Sequence, residues 1–471
     1  MAFNSVQYAI LLMVVFALYR VVKRREQNLL LLVASYLFYG FWDWRFLSLL
    51  WISTIVDFLV GKRMGLSDDP VVRKRLLITS MGVNLGILGF FKYFGFFAES
   101  AAELLGGLGL EADFATLRIV LPVGISFYTF QTMSYTIDIY RREIEPTDNL
   151  LGFAVFVAFF PQLVAGPIER AKRLLPQFLT DRPKVAAGEL STGLLLIFIG
   201  LFKKIVIADA LAPYVQETFD SAGSAGWMQL LVAVYAFSLQ IYGDFSGYSS
   251  IARGSARLLG IDLMVNFNQP YLARNITHFW RTWHISLSTW LRDYLYIPLG
   301  GSRGTAVATQ RNLMVTMLLG GLWHGAAWTF VVWGGLHGMY LAAHRRFRQR
   351  SPKSELDAPT WRDVPAIVAT FHLVALSWVF FRADSFTQAW DVLVGILGFR
   401  AADGIPFAGL ALLVPAALAV VFIDLVQRRT GRHEGFVTIP AFARGAVYGA
   451  FFMAIVLFSG QEVVPFLYFQ F

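Results

Sequence analysis

His324 stands in the run Gly320-Gly-Leu-Trp-His-Gly-Ala-Ala-Trp328, inside a stretch from Asn312 to Ala343 that carries almost no charge. Imidazole is the side chain whose proton comes and goes near neutral pH. Placed at membrane depth it is expensive unless it faces protein or water, so it marks a functional site by default. The chemistry it offers is general acid–base catalysis on a group that must lose or gain a proton. The plainer alternative is a histidine hydrogen-bonded between helices. Trp323, Trp328, Trp333 and Tyr340 crowd the same segment, and His337 follows thirteen residues after His324. His337 reads first as packing.

Three other regions carry reactive or charged residues. The first runs Asn275-Ile-Thr-His-Phe-Trp-Arg-Thr-Trp-His-Ile-Ser-Leu-Ser and continues through Arg292 to Gly301. If helical, it brings Arg281, His284 and Ser288 near one face, with Trp280 and Trp283 beside them. Such a face is either an interfacial aromatic belt or a place where arginine forks hold an anionic acyl carrier. In the second, Gln240-Ile-Tyr-Gly-Asp-Phe-Ser, Asp244 ends an apolar span; it either contacts the basic core region or lines a polar path. The third, Pro161-Gln-Leu-Val-Ala-Gly-Pro-Ile-Glu-Arg, suggests a broken helix followed by a buried Glu169–Arg170 neighbourhood.

Several chemistries are excluded. The chain has no cysteine, so disulfides, thiolate metal sites and thiol nucleophiles are absent. No Gly-Lys-Ser/Thr phosphate loop, no dinucleotide fingerprint and no Gly-x-Ser-x-Gly elbow in a strand–turn–helix setting occurs. Carboxylates are scarce around His324 and no His-x-x-x-His pair is present, so no metal is expected.

The elements that must position these residues are membrane helices. Of the 471 residues 56% are hydrophobic and only 15% charged, against about a quarter charged in soluble chains. Apolar runs of spanning length recur throughout. The net charge of +9 sits in short loops, as orientation signals do, and does not point to nucleic acid. The first run, residues 6–22, lacks the flanks of a cleaved signal and reads as a retained span.

Basic loops stay cytoplasmic. Residues 20–25 and 62–75 are basic, whereas 99–113 carry acids and no bases. Spans are expected near residues 28–41, 46–61, 76–98, 119–140, 190–211 and 228–242, then 364–381, 407–426 and 441–459. Residues 150–167 have basic flanks on both sides and two prolines, and read as a re-entrant or buried element. Residues 386–397 follow helical spacing and suggest a helix along the outer face. Residues 243–311 hold seven arginines against Asp244, Asp262 and Asp293 and should be cytoplasmic, partly folded into the membrane face. Residues 312–343 start after Arg311 and end before the basic run His344 to Arg348, so they go in and come back, turning at Gly320-Gly321 and Gly325. His324 then lies about twelve residues, roughly 18 Å, from the entry, near mid-membrane. The count is roughly ten spans and two re-entrant elements in one integral membrane domain, 1–471. Its parts are N-terminal spans (1–243), a core bearing the histidines (244–343) and C-terminal spans (344–471).

The chain resembles the membrane-bound O-acyltransferases, and within them the bacterial alginate O-acetyltransferase branch. The resemblance spans essentially the whole chain. It rests on Asn266-Phe-Asn-Gln-Pro-Tyr, Phe279-Trp-Arg-Thr-Trp-His-Ile-Ser-Leu-Ser, Leu291-Arg-Asp-Tyr-Leu-Tyr-Ile-Pro-Leu-Gly-Gly, Leu322-Trp-His-Gly-Ala-Ala-Trp-Thr-Phe and the terminal Phe466-Leu-Tyr-Phe-Gln-Phe. It implies an all-α polytopic membrane protein: a ring of helices around a thin core, with re-entrant helices and a funnel and tunnel meeting near the histidine. It places the family's near-invariant histidine at His324 and its second functional histidine at His284. The Tyr-Ile-Pro-Leu-Gly-Gly run, which D-alanine-transferring relatives lack, favours acetyl transfer.

The implied reaction moves an acetyl group from a cytoplasmic thioester, with acetyl-CoA as the expected donor and no bound cofactor, to an acceptor outside the inner membrane. The implied partners are a periplasmic acetyltransferase of the SGNH-hydrolase type and a polysaccharide synthesis and secretion complex. His324 is expected as general base and His284 as stabiliser of the thioester oxygen. Arg281, Arg292 and Arg303, with Trp283, Trp323, Ser288 and Asp244, are expected to bind substrate. Other acyl transfer to an envelope polymer, or a transporter using midplane polar residues, are the competing readings.

Overall fold

Long apolar segments with no water to satisfy their backbone have one open-chain solution, the helix. The computed structural model describes residues 1–109, 119–164, 166–347, 360–401, 404–459 and 464–469, and among them the regular structure is helical with no strand. Asp113, Ala165, Arg348, Gln470 and Phe471 lie outside the described residues. Among the described residues five helical stretches are long and apolar enough to cross a membrane: Arg24–Gly65, Pro70–Gly107, Trp361–Arg382, Phe407–Thr430 and Ala441–Phe458. Large side chains such as Phe442 (91% exposed) and Leu457 (73%) stand on their outer faces, as expected where lipid is the solvent.

The chain forms two compact units. The first contains residues 1–190 and 255–264. Its helices are α1 (Val6–Tyr19), α2 (Arg24–Asp43), α3 (Leu47–Gly65), α4 (Pro70–Leu88), α5 (Phe94–Gly107), α6 (Ile125–Tyr140), α7 (Leu150–Ala158) and α8 (Ala171–Leu179). Helix α5 occupies most of the acidic segment expected to be a loop. Helix α1 has only 14 residues, and nearly all of α6 is buried. Helix α1 is shorter than the span expected there, and α6 is more protein-enclosed, its Thr132 and Thr136 facing α3 and α4.

Helices α3, α4 and α6 are joined by a ladder of small polar groups spaced four residues apart. Ser80 Oγ donates to Asp57 Oδ1 (2.5 Å) and Asn84 Nδ2 to Asp57 Oδ2 (2.9 Å). Ser53 Oγ donates to Asn84 Oδ1 (2.6 Å), while Thr132 and Thr136 face Ser53 and Ser80 at 3.2 and 3.0 Å. Such bonds tie helices together where apolar attraction is cancelled by lipid.

Helix α7 stops after nine residues, and the irregular backbone that follows is buried, as the two prolines and their basic flanks suggest. Its polar groups are met by side chains: Gln131 Nε2 donates to Phe156 O (2.6 Å), Gln162 Nε2 to Gln131 Oε1 (2.8 Å), and Ser35 Oγ accepts from Phe160 N (3.0 Å). Beyond it Glu169 is fully buried and accepts the Met264 N–H at 2.5 Å. Burial pushes its carboxyl up to about 7.

The second unit contains residues 191–254 and 265–471. Helix α9 (Ala187–Phe202) runs into a π-helical segment, Lys203–Asp209, then α10 (Ala210–Asp220) and the 32-residue α11 (Trp227–Leu258). Asp244 was expected to end a span; it sits in mid-helix instead, because helix propensity and packing carry α11 four turns past Tyr242. Next come α12 (Ile276–Thr282) and α13 (Ile285–Leu291), then α14 (Ala306–His324) and α15 (Trp328–Phe347). The unit closes with α16 (Val364–Arg382), α17 (Phe386–Leu397), α18 (Phe407–Thr430) and α19 (Ala441–Phe458). Helix α17 spans the residues expected to lie along the outer face.

Helices α14 and α15 form the in-and-back hairpin. It turns at Gly325, not at Gly320-Gly321, which stay helical. A methyl group on Gly321 would come within 2.2 Å of the Phe330 carbonyl oxygen, and one on Gly334 within 2.2 Å of Met317 O. The missing side chains let the two backbones touch.

Candidate functional site

His324 is the last residue of α14, one position before the turn. Gly325 leaves the helix in an extended conformation, and a Cβ there would strike the Phe330 ring at 2.1 Å. The imidazole is therefore presented at the hairpin tip, 3% exposed. Around it stand the rings of Trp333 (5.0 Å between centroids), Trp323 (5.1 Å), Phe381 (5.4 Å), Tyr468 (5.5 Å) and His284 (6.1 Å).

His284 reaches this place by a break in the chain. The segment expected as one helix is two: α12 ends at Thr282 and α13 starts at Ile285, with His284 left-handed between them at φ 42, ψ 54. That conformation is uncommon outside glycine, asparagine, aspartate and histidine and persists only when its surroundings over-determine it. Here they do. Asn266 O accepts from Ile285 N (2.9 Å), Asn266 Oδ1 accepts from Ser286 N (3.2 Å) and Ser286 Oγ (2.9 Å), and Asn268 N donates to Thr282 O (2.9 Å). Asn266 Nδ2 in turn donates to Ser249 Oγ at 3.3 Å. The His284 ring packs edge-on against Phe245 (4.6 Å) and lies 5.8 Å from Trp323. Burial pushes this imidazole, outside the spanning helices, down to about 3. It is neutral at physiological pH and one of its nitrogens carries a donor hydrogen.

A cavity of about 420 Å³, lined by neither histidine, has walls that include Trp280, Arg281, Ser288, Arg292, Tyr296 and Met317. Two structural links connect it to the imidazoles. Ile285, the residue after His284, lines it, and Met317 lies seven residues before His324 on α14, roughly 10 Å along the axis. Arg281 and Arg292 bring positive charge to it, with Arg292 held by Asp293 at 2.7 Å. The Ser288 hydroxyl donates to Trp283 O at 3.0 Å.

The structure gathers some of the expected residues and separates others. His324, His284 and Trp323 are together; Arg281, Ser288 and Arg292 share a cavity that none of those three lines. Arg303 is exposed in the turn after Gly300 and is not on the cavity wall. Trp283 is fully buried among Phe267, Phe279 and Trp378, with centroids 5.0–5.5 Å away. Both oxygens of Asp244 are engaged, one by Lys204 Nζ at 2.8 Å and the other by the Leu467 N–H at 2.8 Å.

His337 is locked by two neighbours. Trp280 Nε1 donates to its Nδ1 (3.2 Å), which leaves Nε2 to donate to Ser377 Oγ (2.9 Å). This matches a packing role. The residue that reading the chain overlooked is Tyr468. Its terminal motif was visible, but no local pattern places a chain end against a histidine 144 positions earlier. Among the described residues no group of three or more His, Cys, Asp or Glu could hold a metal ion.

The site lies in a segment that known families share. The model of MBOAT, the membrane-bound O-acyltransferase family, matches residues 141–381, which include both histidines. The chain is 38% identical over 512 residues to the probable alginate O-acetylase AlgI of Azotobacter vinelandii, with all of both chains covered. It is 43% identical over 405 residues to the Pseudomonas aeruginosa protein of the same description, covering 85% of this chain and 75% of that one. A peptidoglycan O-acetyltransferase of Helicobacter pylori is 38% identical over 398 residues, covering 79% and 74%.

Proposed function

We propose, from the premise that the chain belongs to the membrane-bound O-acyltransferase family, that it takes an acetyl group from a cytoplasmic thioester and delivers it to a hydroxyl outside the inner membrane, for acetylation of an exopolysaccharide of the alginate or cellulose type. Acetyl-CoA is the donor in this reading. A periplasmic SGNH-type acetyltransferase and the polymer's synthesis and secretion complex are the partners. The observation that carries it is the pairing of two buried imidazoles, 6.1 Å apart, with a cavity that bears two arginines and is lined by Ile285, the residue after His284.

The chemistry follows from what each group can do. A thioester carbonyl is activated, but a neutral hydroxyl attacks it slowly. His324 accepts the hydroxyl proton as the oxygen–carbon bond forms. His284, neutral and carrying one N–H, donates to the carbonyl oxygen as negative charge develops there. The carbon–sulfur bond then breaks, the thiolate leaves, and the imidazolium at His324 returns the proton to sulfur. Arg281 and Arg292 hold the donor's phosphates at the cavity, where guanidinium forks are well matched to them.

The test is acetyl transfer by the purified protein in lipid vesicles, with labelled acetyl-CoA inside and acceptor outside. Free CoA is expected to appear only with acceptor present and to fall about 10³-fold in His324→Ala. Release that is unchanged in His324→Ala removes the base assignment, and solute movement without thioester cleavage replaces the enzyme by a transporter.

A further inference from the structure

Lys204 is a lysine with nowhere to put its charge except protein. Its side chain is 1% exposed, in the π-helical segment after α9. Single π-turns often mark functional places. Its Nζ contacts Asp209 Oδ1 at 2.7 Å, Asp244 Oδ1 at 2.8 Å and the Val464 carbonyl at 3.0 Å. Asp244 Oδ2 accepts the Leu467 N–H. Two backbone groups three residues apart, near the end of the chain, are thus gripped by one buried ion pair. Phe466 then packs on Tyr248 (4.4 Å) and Phe245 (5.5 Å), and the Tyr468 ring falls 5.5 Å from His324 and 6.4 Å from His284.

We infer that Lys204 and Asp244 are positioning residues, an ionic clamp that registers the strap of residues 464–468 as one wall of the histidine site. Apolar packing alone would hold a strap more cheaply, since removing three ionisable groups from water is seldom repaid by their attraction. What an ionic grip adds is register: a slip by one residue would take the Val464 carbonyl from the Lys204 ammonium and the Leu467 N–H from the Asp244 carboxylate, whereas aromatic rings slide and repack. Asp244 and Phe245 are neighbours on α11, so the same turn that holds the strap also holds the ring against His284. The functional part of this inference rests on the reading of His324 and His284 as the reacting pair; the clamp itself does not.

The absence of cysteine makes the test clean. Tyr468→Cys, as the sole thiol of the full-length protein in nanodiscs, is labelled with a maleimide. Labelling is expected to be slow in the otherwise unchanged chain and about tenfold faster with Asp244→Ala or Lys204→Met, as the strap opens locally. A control thiol, Ser302→Cys, should not respond. Asp209→Asn touches Lys204 but no strap group, and should raise labelling by less than about threefold. Asp244→Ala leaves Lys204 balanced by Asp209, so the fold has no stranded charge. Unchanged labelling in Asp244→Ala, or an equal rise in Asp209→Asn, overturns the clamp. Acetyl transfer is measured separately with Tyr468 in place: a strap freed by Asp244→Ala with transfer intact keeps the clamp and defeats the histidine-site reading.

Discussion

Asp57 and Asp244 are both buried carboxylates in helices, and they are satisfied in opposite ways. Asp57 meets neutral donors, among them Ser80 and Asn84 on a neighbouring helix of the same bundle. Asp244 meets an ammonium and a backbone N–H from a distant chain end. Neutral hydroxyl and amide partners are short-range glue between helices already adjacent in sequence. A buried ion pair can also hydrogen-bond backbone groups more than two hundred residues away and select one register. In the first unit the ladder around Asp57 joins neighbouring helices; in the second Asp244 holds a strap whose Tyr468 ring stands 5.5 Å from His324.

That contrast predicts activity losses in the second unit and stability losses in the first. The largest effect is expected for His324→Ala, where acetyl transfer per folded molecule should drop about 10³-fold with the helical circular dichroism unchanged. His284→Ala should lower kcat about 10²-fold, as loss of one oxyanion donor does, while the KM for acetyl-CoA stays within about twofold of the parent. If KM rises instead, His284 belongs to donor binding. Asp57→Ala should cost about 1–3 kcal/mol by stranding Ser80 and Asn84, seen as a lower midpoint of thermal unfolding, with kcat per folded molecule kept. A loss of kcat without a loss of stability would erase the contrast between the units.

Arg281→Ala should raise the KM for acetyl-CoA several-fold, by about 1 kcal/mol, and weaken its dependence on salt. An effect on stability alone concerns Glu169, whose carboxyl is pushed up to about 7 by burial. The fold retains that proton between the ordinary carboxylate range, near 4.5, and 7, while the unfolded chain releases it. Stability therefore falls as pH rises through that window. Glu169→Gln, which keeps the acceptor for Met264 N–H, should flatten the fall in a melting series from pH 5 to pH 8.

Much of this was legible in the chain. Composition and run length alone demand membrane helices, because no other open-chain structure satisfies its backbone in lipid. The hairpin that carries His324 at its tip followed from the basic ends of residues 312–343, and the broken element after α7 followed from Pro161, Pro167 and their flanks. Arg281, Ser288 and Arg292 were singled out by residue type, and they do share one cavity. Helix ends were harder: α5 runs on to Gly107, through most of the acidic segment, and α11 continues past Tyr242, because Asp244, which looks like a terminator, is satisfied by Lys204 and the Leu467 N–H, neighbours that a linear reading does not contain.

Local patterns, then, determined the solvent of this protein, its helical class and the single imidazole most out of place. Only tertiary structure decided that His284 would leave its helix in a left-handed turn held by Asn266, that it would face His324 at 6.1 Å, and that Lys204 would tie residues 464–468 beside both. The reason is physical. Helix formation and hydropathy are properties of neighbours in sequence, whereas the pairing of buried charges and the stacking of rings are properties of neighbours in space.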